Sequence, residues 1–149
     1  INFGTYAVNS LRMEKAYRGW GAELTGEISL VEAGMDRFFN LKKKNNFFGA
    51  KALQGKIQSG VDIKIVYLEV DVDNADARGN EPVYHNNKIV GVVTSGGYGF
   101  RTKKSLAFAY VKSDLANGGN LEIEIQGQRR KAKILDKVVY DPDNQKLRA

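Results

Sequence analysis

Hydrophobic and polar positions follow one rhythm in the first part of the chain and another in the second, with the change near Gly60. Before this glycine, apolar residues recur three or four positions apart between glycine breaks, which is typical of helices. The segment 48–59 places Ala50, Leu53 and Ile57 on one helical face and is followed directly by glycine, a frequent C-terminal cap. The pattern therefore predicts a packing helix over this segment.

The second part of the chain predicts short strands joined by tight turns. Six runs carry the strand signature: 64–70, 83–85, 88–90, 105–111, 121–125 and 132–135. Asn86-Asn87 separates the second run from the third and suits a two-residue hairpin, because Asn tolerates positive φ. Gln126-Gly127-Gln128 can turn the chain between the last two runs. Short strands with glycine turns indicate a small antiparallel barrel or sandwich.

Together the two rhythms predict an α+β chain with a boundary at residue 60. Residues 1–60 mix short helices with glycine breaks, and residues 61–149 form a small antiparallel β-barrel. With 149 residues, 42% of them hydrophobic, the chain is long enough to bury a core. No apolar run approaches the roughly 20 residues of a membrane helix, so we expect no membrane partner. Because Ile1 is not an initiator methionine, we expect the chain to be a fragment of a longer protein.

The net charge and the residue usage limit which partners and which kinds of site the chain can have. The net charge of +6 favours an anionic partner. The one tight basic run, Lys42-Lys43-Lys44, is not accompanied by the aromatic-interleaved stripe of nucleic-acid modules, so no nucleic-acid partner is expected. The absence of cysteine excludes a disulfide and a thiolate nucleophile, and a single histidine argues against a structural zinc site. An intracellular compartment fits this residue usage.

A glycine-rich run at 95–105 invites comparison with a phosphate-binding loop. Its glycines stand in the wrong places relative to Lys103 and Lys104, and a strand is predicted to follow where a helix is needed. We interpret the run as a glycine-rich turn of the barrel, with Tyr98 placed to line a pocket. No self-contained catalytic constellation is visible in the sequence.

The segment 9–21 carries the most informative candidate site. On a helix with about 100° per residue, Met13, Tyr17 and Trp20 fall on one face. Glu14 lies at the edge of that face, which predicts a half-buried carboxylate beside aromatic side chains. Such a carboxylate can accept paired hydrogen bonds from the amino group and ring N–H of a pterin or a guanine, and the aromatic rings can stack on the same ligand.

A structural interpretation of the same residues is also open. Glu14 can pair with Arg18 one turn later, or with Lys15, while Tyr17 and Trp20 belong to the core. Spacing alone favours this second interpretation, because ion pairs along a helix are common and weakly stabilising.

Several blocks of the chain resemble the aminomethyltransferase family, typified by the T-protein of the glycine cleavage system. Residues 10–18 resemble the family's helix with its Leu-Arg-hydrophobic-Glu motif. Further blocks resemble the next segment and the C-terminal barrel, in family order: 30–35, 47–53, 79–84, 91–96 and 107–111. Three details are most similar to the folate-binding C-terminal region of dimethylglycine and sarcosine dehydrogenases: 17–21, 95–99 and 140–144.

The resemblance implies a tetrahydrofolate site. Glu14 would hydrogen-bond the pterin, as the family's glutamate does. Tyr17 and Trp20 would pack against the folate or the pocket wall, and Tyr98 would project from the barrel loop. The predicted ligand is therefore tetrahydrofolate, held by side chains from both parts of the chain.

The resemblance also gives each part a role. Residues 1–60 would be the C-terminal part of the folate-binding aminomethyltransferase domain, and residues 61–149 the C-terminal β-barrel domain. The parent protein would oxidatively demethylate a methylated glycine and pass the one-carbon unit to tetrahydrofolate, in the cytoplasm or, in a eukaryote, in the mitochondrial matrix. FAD is expected only in an upstream region of that parent.

Two family features are expected to be missing from the chain. The family's catalytic aspartate lies upstream of the glutamate helix, so we expect no catalytic residue here and no turnover by the chain alone. T-protein relatives often have arginines just before the first barrel strand, where this chain has Asp62, Ile63 and Lys64. The basic residue that meets the glutamate tail of the folate is therefore left unassigned.

Two alternative functions keep the family but change the chemistry. One is a stand-alone aminomethyl or methyl transferase without a flavin region. The other is a folate-binding module that has no catalysis of its own. The upstream sequence would separate them, through a dinucleotide-binding turn for the dehydrogenase and through the catalytic aspartate for any transferase.

Overall fold

A computed structural model describes residues 2–42 and 47–149 of the protein. Two α-helices precede six β-strands, and the elements are α1 (Thr5–Glu14), α2 (Ala50–Ser59), β1 (Ile63–Val70), β2 (Pro82–His85), β3 (Lys88–Gly99), β4 (Lys104–Lys112), β5 (Leu121–Ile125) and β6 (Gln128–Ile134). Short 3₁₀ turns lie at Asp36–Phe38 and Ser113–Leu115. Lys43 and Lys44 of the predicted basic run lie outside the described residues.

The six strands form a closed antiparallel barrel in the order β1-β4-β3-β2-β5-β6. The ring closes where β6 pairs with β1, with Leu68 opposite Ile134. Closure gives each of the six strands a neighbour on both sides, so none of them is an edge strand. The predicted α+β class is confirmed, and of the two all-β architectures left open, the barrel is the one observed.

The locally encoded elements lie where the sequence predicts them. Asn86 and Asn87 have φ values of 50° and 62° and join β2 to β3 as a two-residue turn. Gln126 and Gly127, with φ values of 50° and 74°, join β5 to β6 in the same way. Helix α2 ends at Gly60, which has φ 80°. These hairpins and this helix are confirmed, with Ala50 and Leu53 buried, but Ile57 on the predicted packing face is 44% exposed.

Strand β4 is buried on both faces, and this places the first helix. Its residues alternate, with Ala107, Ala109 and Val111 inside the barrel core. Leu106 and Phe108 point outward, yet both have 0% exposure because they form a second core with Met13 of α1. The Tyr67 and Phe108 rings lie 5.2 Å apart in this second core. Helix α1 is therefore packed on the outer wall of the barrel.

The predicted helix over 9–21 is wrong in its second half. Helix α1 ends at Glu14, and Ala16 adopts φ 51°, which turns the chain out of the helical path. The Tyr17 N–H then bonds back to the Arg12 carbonyl at 2.9 Å. Consequently Tyr17 and Trp20 do not share a helical face with Met13.

The predicted glycine-rich turn is also wrong in its placement. Residues 95–99 continue β3, and the turn to β4 lies at 100–103, with Lys103 at φ 55°. Glycine is required at position 96 because a β-carbon there would collide with the backbone of Ala77. The run therefore allows close backbone approach within the barrel wall.

The division of the chain into two domains at residue 60 stays a prediction.

None of the helices in the part of the chain that the structure describes is long and apolar enough to cross a bilayer.

Gly96→Ala tests this packing constraint. The added methyl would meet the Ala77 carbonyl, and we expect unfolding free energy to fall by about 1 to 3 kcal/mol, the range for overpacking. Gly55→Ala is the control, because nothing lies within 4 Å of the added β-carbon in helix α2, and it should stabilise the protein by up to about 1 kcal/mol. Urea unfolding of both variants measures the difference, and equal stability would contradict the analysis.

Candidate functional site

The carboxylate of Glu14, the last residue of α1, is the centre of the candidate site. The residue is 2% exposed, so it is buried rather than half-buried as predicted. Its Oε1 accepts the backbone N–H of Thr102 at 2.7 Å. Because Thr102 belongs to the turn between β3 and β4, the barrel itself holds the carboxylate in place.

The end of β3 is shaped to receive this side chain. A β-carbon on Gly99 would lie 2.8 Å from Glu14 Cγ and 2.9 Å from Oε1, closer than real contacts allow. Upstream on the helix, the Asn9 side chain donates to the Gly96 carbonyl at 2.9 Å, and the Ser10 hydroxyl donates to the Tyr98 carbonyl at 2.7 Å. These contacts fix α1 against β3 along its length.

The second core contains Tyr67, whose pKa is affected by Glu14. The Tyr67 hydroxyl donates to the Met13 carbonyl at 2.7 Å. Burial, and secondly the negative charges of Glu14 and Glu69, raise the pKa of Tyr67 above its ordinary value. Tyr67 therefore acts as a neutral hydrogen-bond donor that holds the end of the helix.

A pocket of about 560 Å³ lies beside the carboxylate. Its lining residues are Phe3, Tyr6, Ala7, Ser10, Leu11, Glu14, Phe100 and Arg101. Its size falls in the range of small-molecule sites, and its walls are mainly apolar and aromatic. Within the described residues, the hydrogen bonds of the structure give Glu14 Oε2 no partner, so this oxygen can accept a donor from a ligand.

The structural pairing that spacing favoured is not formed among the described residues. Arg18 donates to the carbonyls of Ala33 and Ala16, at 3.1 Å each. Lys15 Nζ bonds the Asp141 carbonyl at 2.8 Å. Glu14 therefore forms no ion pair with Lys15 or Arg18.

The other predicted site residues do not line this pocket. Tyr17 is 44% exposed and Trp20 is 82% exposed, both in the loop after α1. The Tyr98 ring contacts the edge of Phe100, with centroids 5.1 Å apart, but Tyr98 lines cavities on other sides of the barrel wall. The structure thus brings Glu14 together with Phe100 and not with these three aromatics.

Sequence analysis missed Glu23, which has 0% exposure. Its Oε2 accepts the Gly19 N–H at 2.7 Å and pairs with Arg12 Nη1 at 3.1 Å. Its Oε1 accepts the hydroxyls of Thr94, at 2.7 Å, and of Ser95. No local signal marks this glutamate, because its barrel partners lie 71 and 72 positions away in sequence.

Tyr110 completes this network from β4. Its hydroxyl donates to the Glu23 carbonyl at 2.8 Å. Burial, and secondly the Glu23 charge, raise the pKa of Tyr110 to about 12. Within the described residues, no group of three or more histidine, cysteine, aspartate or glutamate side chains is placed to hold a metal ion.

Comparisons with known proteins agree with this fold. The family model described as the glycine cleavage T-protein C-terminal barrel domain matches residues 64–141, and the model described as the GCVT N-terminal domain matches residues 1–43. A solved structure, the glycine cleavage system aminomethyltransferase T from Bartonella henselae, has the same fold. It superposes with a TM-score of 0.80 at 24% identity, over 91% of this chain and 38% of that one.

Curated relatives cover nearly the whole chain. Mitochondrial dimethylglycine dehydrogenase of Rattus norvegicus is 40% identical over 149 residues, 98% of this chain and 17% of the relative. Mitochondrial sarcosine dehydrogenase of Mus musculus is 30% identical over 156 residues, 99% of this chain and 17% of the relative. An aminomethyltransferase of Prochlorococcus marinus is 33% identical over 138 residues, 92% of this chain and 37% of the relative.

The barrel and the helix that carries Glu14 define an aminomethyltransferase-like protein. The chain belongs to the glycine cleavage T-protein family, and the predicted resemblance is confirmed. It spans only 17% of the length of the dehydrogenases that it matches.

Glu23→Gln tests the buried network. Loss of the negative charge leaves Arg12 without its anion, and we expect the unfolding free energy to fall by about 2 to 3 kcal/mol. This expected fall in unfolding free energy is smaller than for breaking a fully buried ion pair, because the Arg12 side chain is 20% exposed. The exposed Glu27→Gln is the matched control and should change stability by less than about 0.5 kcal/mol. Equal stability of the two variants in urea unfolding would contradict the role of the network.

Alkaline stability tests Tyr110. Because its folded pKa of about 12 lies above the ordinary value of 10.0, the unfolded chain loses the proton first, and stability falls as pH rises from 10 to about 12. Tyr110→Phe should remove this part of the loss, although the lost hydrogen bond costs about 1 kcal/mol at neutral pH. Tyr6→Phe, at a side chain that is 90% exposed, should leave the loss in place. An unchanged pH slope in Tyr110→Phe would refute the assignment.

Proposed function

We propose that this chain is the tetrahydrofolate-binding, aminomethyltransferase-like segment of a dimethylglycine or sarcosine dehydrogenase-type protein. The parent protein passes a one-carbon unit from a methylated glycine to tetrahydrofolate. The proposal extends to this chain what the names of its relatives say of them: 40% identity to a dimethylglycine dehydrogenase, against 33% to an aminomethyltransferase, favours the dehydrogenase type.

The observation that carries the proposal is the Glu14 carboxylate. It is buried, it forms no ion pair with Lys15 or Arg18, and only Oε1 has a hydrogen-bond partner among the described residues. An ionised carboxylate accepts about four hydrogen bonds, so Thr102 leaves several acceptor positions unused. Because Glu14 also lines the pocket, a ligand in the pocket can supply donors to these positions.

A pterin ring matches these unused positions. Its amino group and adjacent ring N–H are parallel donors, which a carboxylate accepts in a bidentate, charge-assisted arrangement. Phe100 and Tyr6 provide aromatic surface in the same pocket, against which a flat ring can pack. The pocket volume of about 560 Å³ accommodates a ligand of this size.

Three further aromatics are assigned to the ligand or its surroundings. Tyr17 and Trp20 are exposed in the loop after α1 and are available to pack against the folate or against the rest of the parent protein. Tyr98 supports the Phe100 ring by its edge contact. In this proposal Glu14 anchors the pterin, Tyr98 acts through Phe100, and Tyr17 and Trp20 lie outside the pocket.

The contribution of this chain to the reaction is binding and orientation. Tetrahydrofolate is the substrate whose nitrogen atoms receive the one-carbon unit. An iminium or aminomethyl donor is already electrophilic, so the transfer requires alignment more than a nucleophile. No catalytic side chain is assigned here, and FAD belongs to another region of the parent protein.

Calorimetric titration of tetrahydrofolate into the full-length protein tests the proposal with Glu14→Gln. The glutamine retains an oxygen for the Thr102 N–H but presents an amide donor to the donors of the pterin. We expect binding to weaken by about 1 to 3 kcal/mol, the cost of an unsatisfied buried partner. Glu27→Gln is the matched control, because that glutamate is exposed and lies outside the pocket.

Two outcomes would contradict the proposal. Equal affinity of wild type and Glu14→Gln would make Glu14 a structural residue, and no binding by wild type would exclude tetrahydrofolate as the ligand. Thermal unfolding of each variant without ligand separates a loss of affinity from a loss of fold.

A further inference from the structure

The segment 140–144, one of the blocks that resemble the dehydrogenases, lies against the end of helix α1. The Tyr140 N–H donates to the carbonyl of Glu14, the last residue of the helix, at 3.2 Å. The last carbonyls of a helix have no partner within it, so this hydrogen bond satisfies one of them. The C-terminal part of the chain is therefore attached to the residue that carries the candidate anchor.

Lys15, the residue after Glu14, makes a second attachment to this segment. Its Nζ donates to the Asp141 carbonyl at 2.8 Å and to Asn144 Oδ1 at 2.7 Å, and it lies 3.6 Å from Asp141 Oδ2. The Lys15 and Asp141 side chains are 16% and 9% exposed, so water and salt screen this ion pair less than an exposed one. All the oxygens around the ammonium belong to one turn of the chain.

The turn that receives Lys15 is built by its own local interactions. Asp141 and Asn144 have φ values of 44° and 55°, a conformation that Asp and Asn tolerate better than most residues. Asp141 Oδ1 accepts the Gln145 N–H at 2.8 Å, and the Asn144 N–H donates to the Asp141 carbonyl at 3.0 Å. The turn therefore presents its oxygens to Lys15 in a fixed arrangement.

The chain between β6 and this turn is also held in place. Leu135, Val138 and Val139 pack against the second core, which contains Met13. The Leu135 N–H donates to the Tyr67 carbonyl at 2.8 Å. Residues 135–144 therefore run from the end of β6, across the second core, to the end of helix α1.

We propose that Lys15 and the segment 140–144 form a clasp that positions the Glu14 carboxylate for the ring of the ligand. The inference rests on the proposed function, since it takes Glu14 as the ring anchor. A carboxylate that accepts two parallel donors must be held in one orientation, because both hydrogen bonds form together. Thr102 holds the carboxylate, and the clasp holds the backbone from which it extends.

Lys15 is a positioning residue in this proposal. It lies outside the lining of the pocket and acts on the ligand through Glu14. Lys15→Met tests this role because methionine keeps much of the apolar stem and removes the N–H donors. Lys15→Arg keeps the charge and several donors. Lys51→Met is the matched control, because that lysine is exposed in helix α2.

Hydrogen exchange of the full-length protein without ligand measures whether the carboxylate stays in place. The Thr102 N–H is the donor to Glu14 Oε1, so peptides that span the turn between β3 and β4 report on this hydrogen bond. We expect faster exchange there in Lys15→Met, with the β5–β6 hairpin unchanged. Lys15→Arg should restore slow exchange, and Lys51→Met should match wild type.

Calorimetric titration of tetrahydrofolate into the same proteins measures the effect on the ligand. We expect Lys15→Met to weaken binding by about threefold to tenfold, within the range for residues that act on a site without touching the ligand. Lys15→Arg should recover most of the affinity, and Lys51→Met should bind as wild type does. Glu14→Gln, titrated alongside, should weaken binding whether or not the clasp is intact.

Several results would overturn the inference. Unchanged exchange at the Thr102 turn in Lys15→Met would show that the clasp does not hold the carboxylate. Faster exchange throughout the barrel would assign Lys15 a general role in stability and not a positioning role. Equal affinity of wild type and Lys15→Met, while Glu14→Gln still weakens binding, would remove the clasp and leave the proposed function intact. Failure of wild type to bind tetrahydrofolate would refute the proposed function and this inference together.

Discussion

The buried carboxylate of Glu23 links helix α1 and the following loop to the barrel. Burying an ionised group costs free energy unless its oxygens are hydrogen-bonded and its charge is paired. Glu23 meets this condition by taking Arg12 from the helix, the Gly19 N–H from the following loop, and the Thr94 and Ser95 hydroxyls from β3. Helix, loop and barrel must therefore come together as one unit, and the position of Glu14 follows from this assembly.

Apolar packing also holds helix α1 against the barrel. The outward face of β4 carries Leu106 and Phe108, which would be exposed on an isolated barrel. Met13 covers them and is itself 0% exposed, so the helix completes a second core outside the barrel wall. Removing large apolar side chains from water is the main favourable term in folding. The segment that carries Glu14 is consequently part of the barrel's own packing.

The functional proposal follows from this arrangement of rigid parts. A barrel turn supplies Thr102 to the carboxylate and Phe100 and Arg101 to the adjoining pocket. In the proposed function this site binds and orients a ligand, with a carboxylate acceptor and aromatic walls at its centre. Such pre-organisation suits a transfer in which the donor is already reactive. The chain's membership of the T-protein family is consistent with a binding and orienting role.

The barrel hairpins and helix α2 were predictable because their signals are local: Asn86-Asn87, Gln126-Gly127 and Gly60 each adopt the backbone conformation that their residue types favour. The helix over 9–21 was over-extended, because the chain leaves the helical path at Ala16, a residue with no breaking signal of its own. The sequence by itself determined that six strands are present, the two hairpin turns, the α+β class and the family motif around Glu14. Only the tertiary structure decided that this carboxylate is fully buried and bound by an N–H 88 positions later in the chain, because such contacts depend on which distant segments packing brings together.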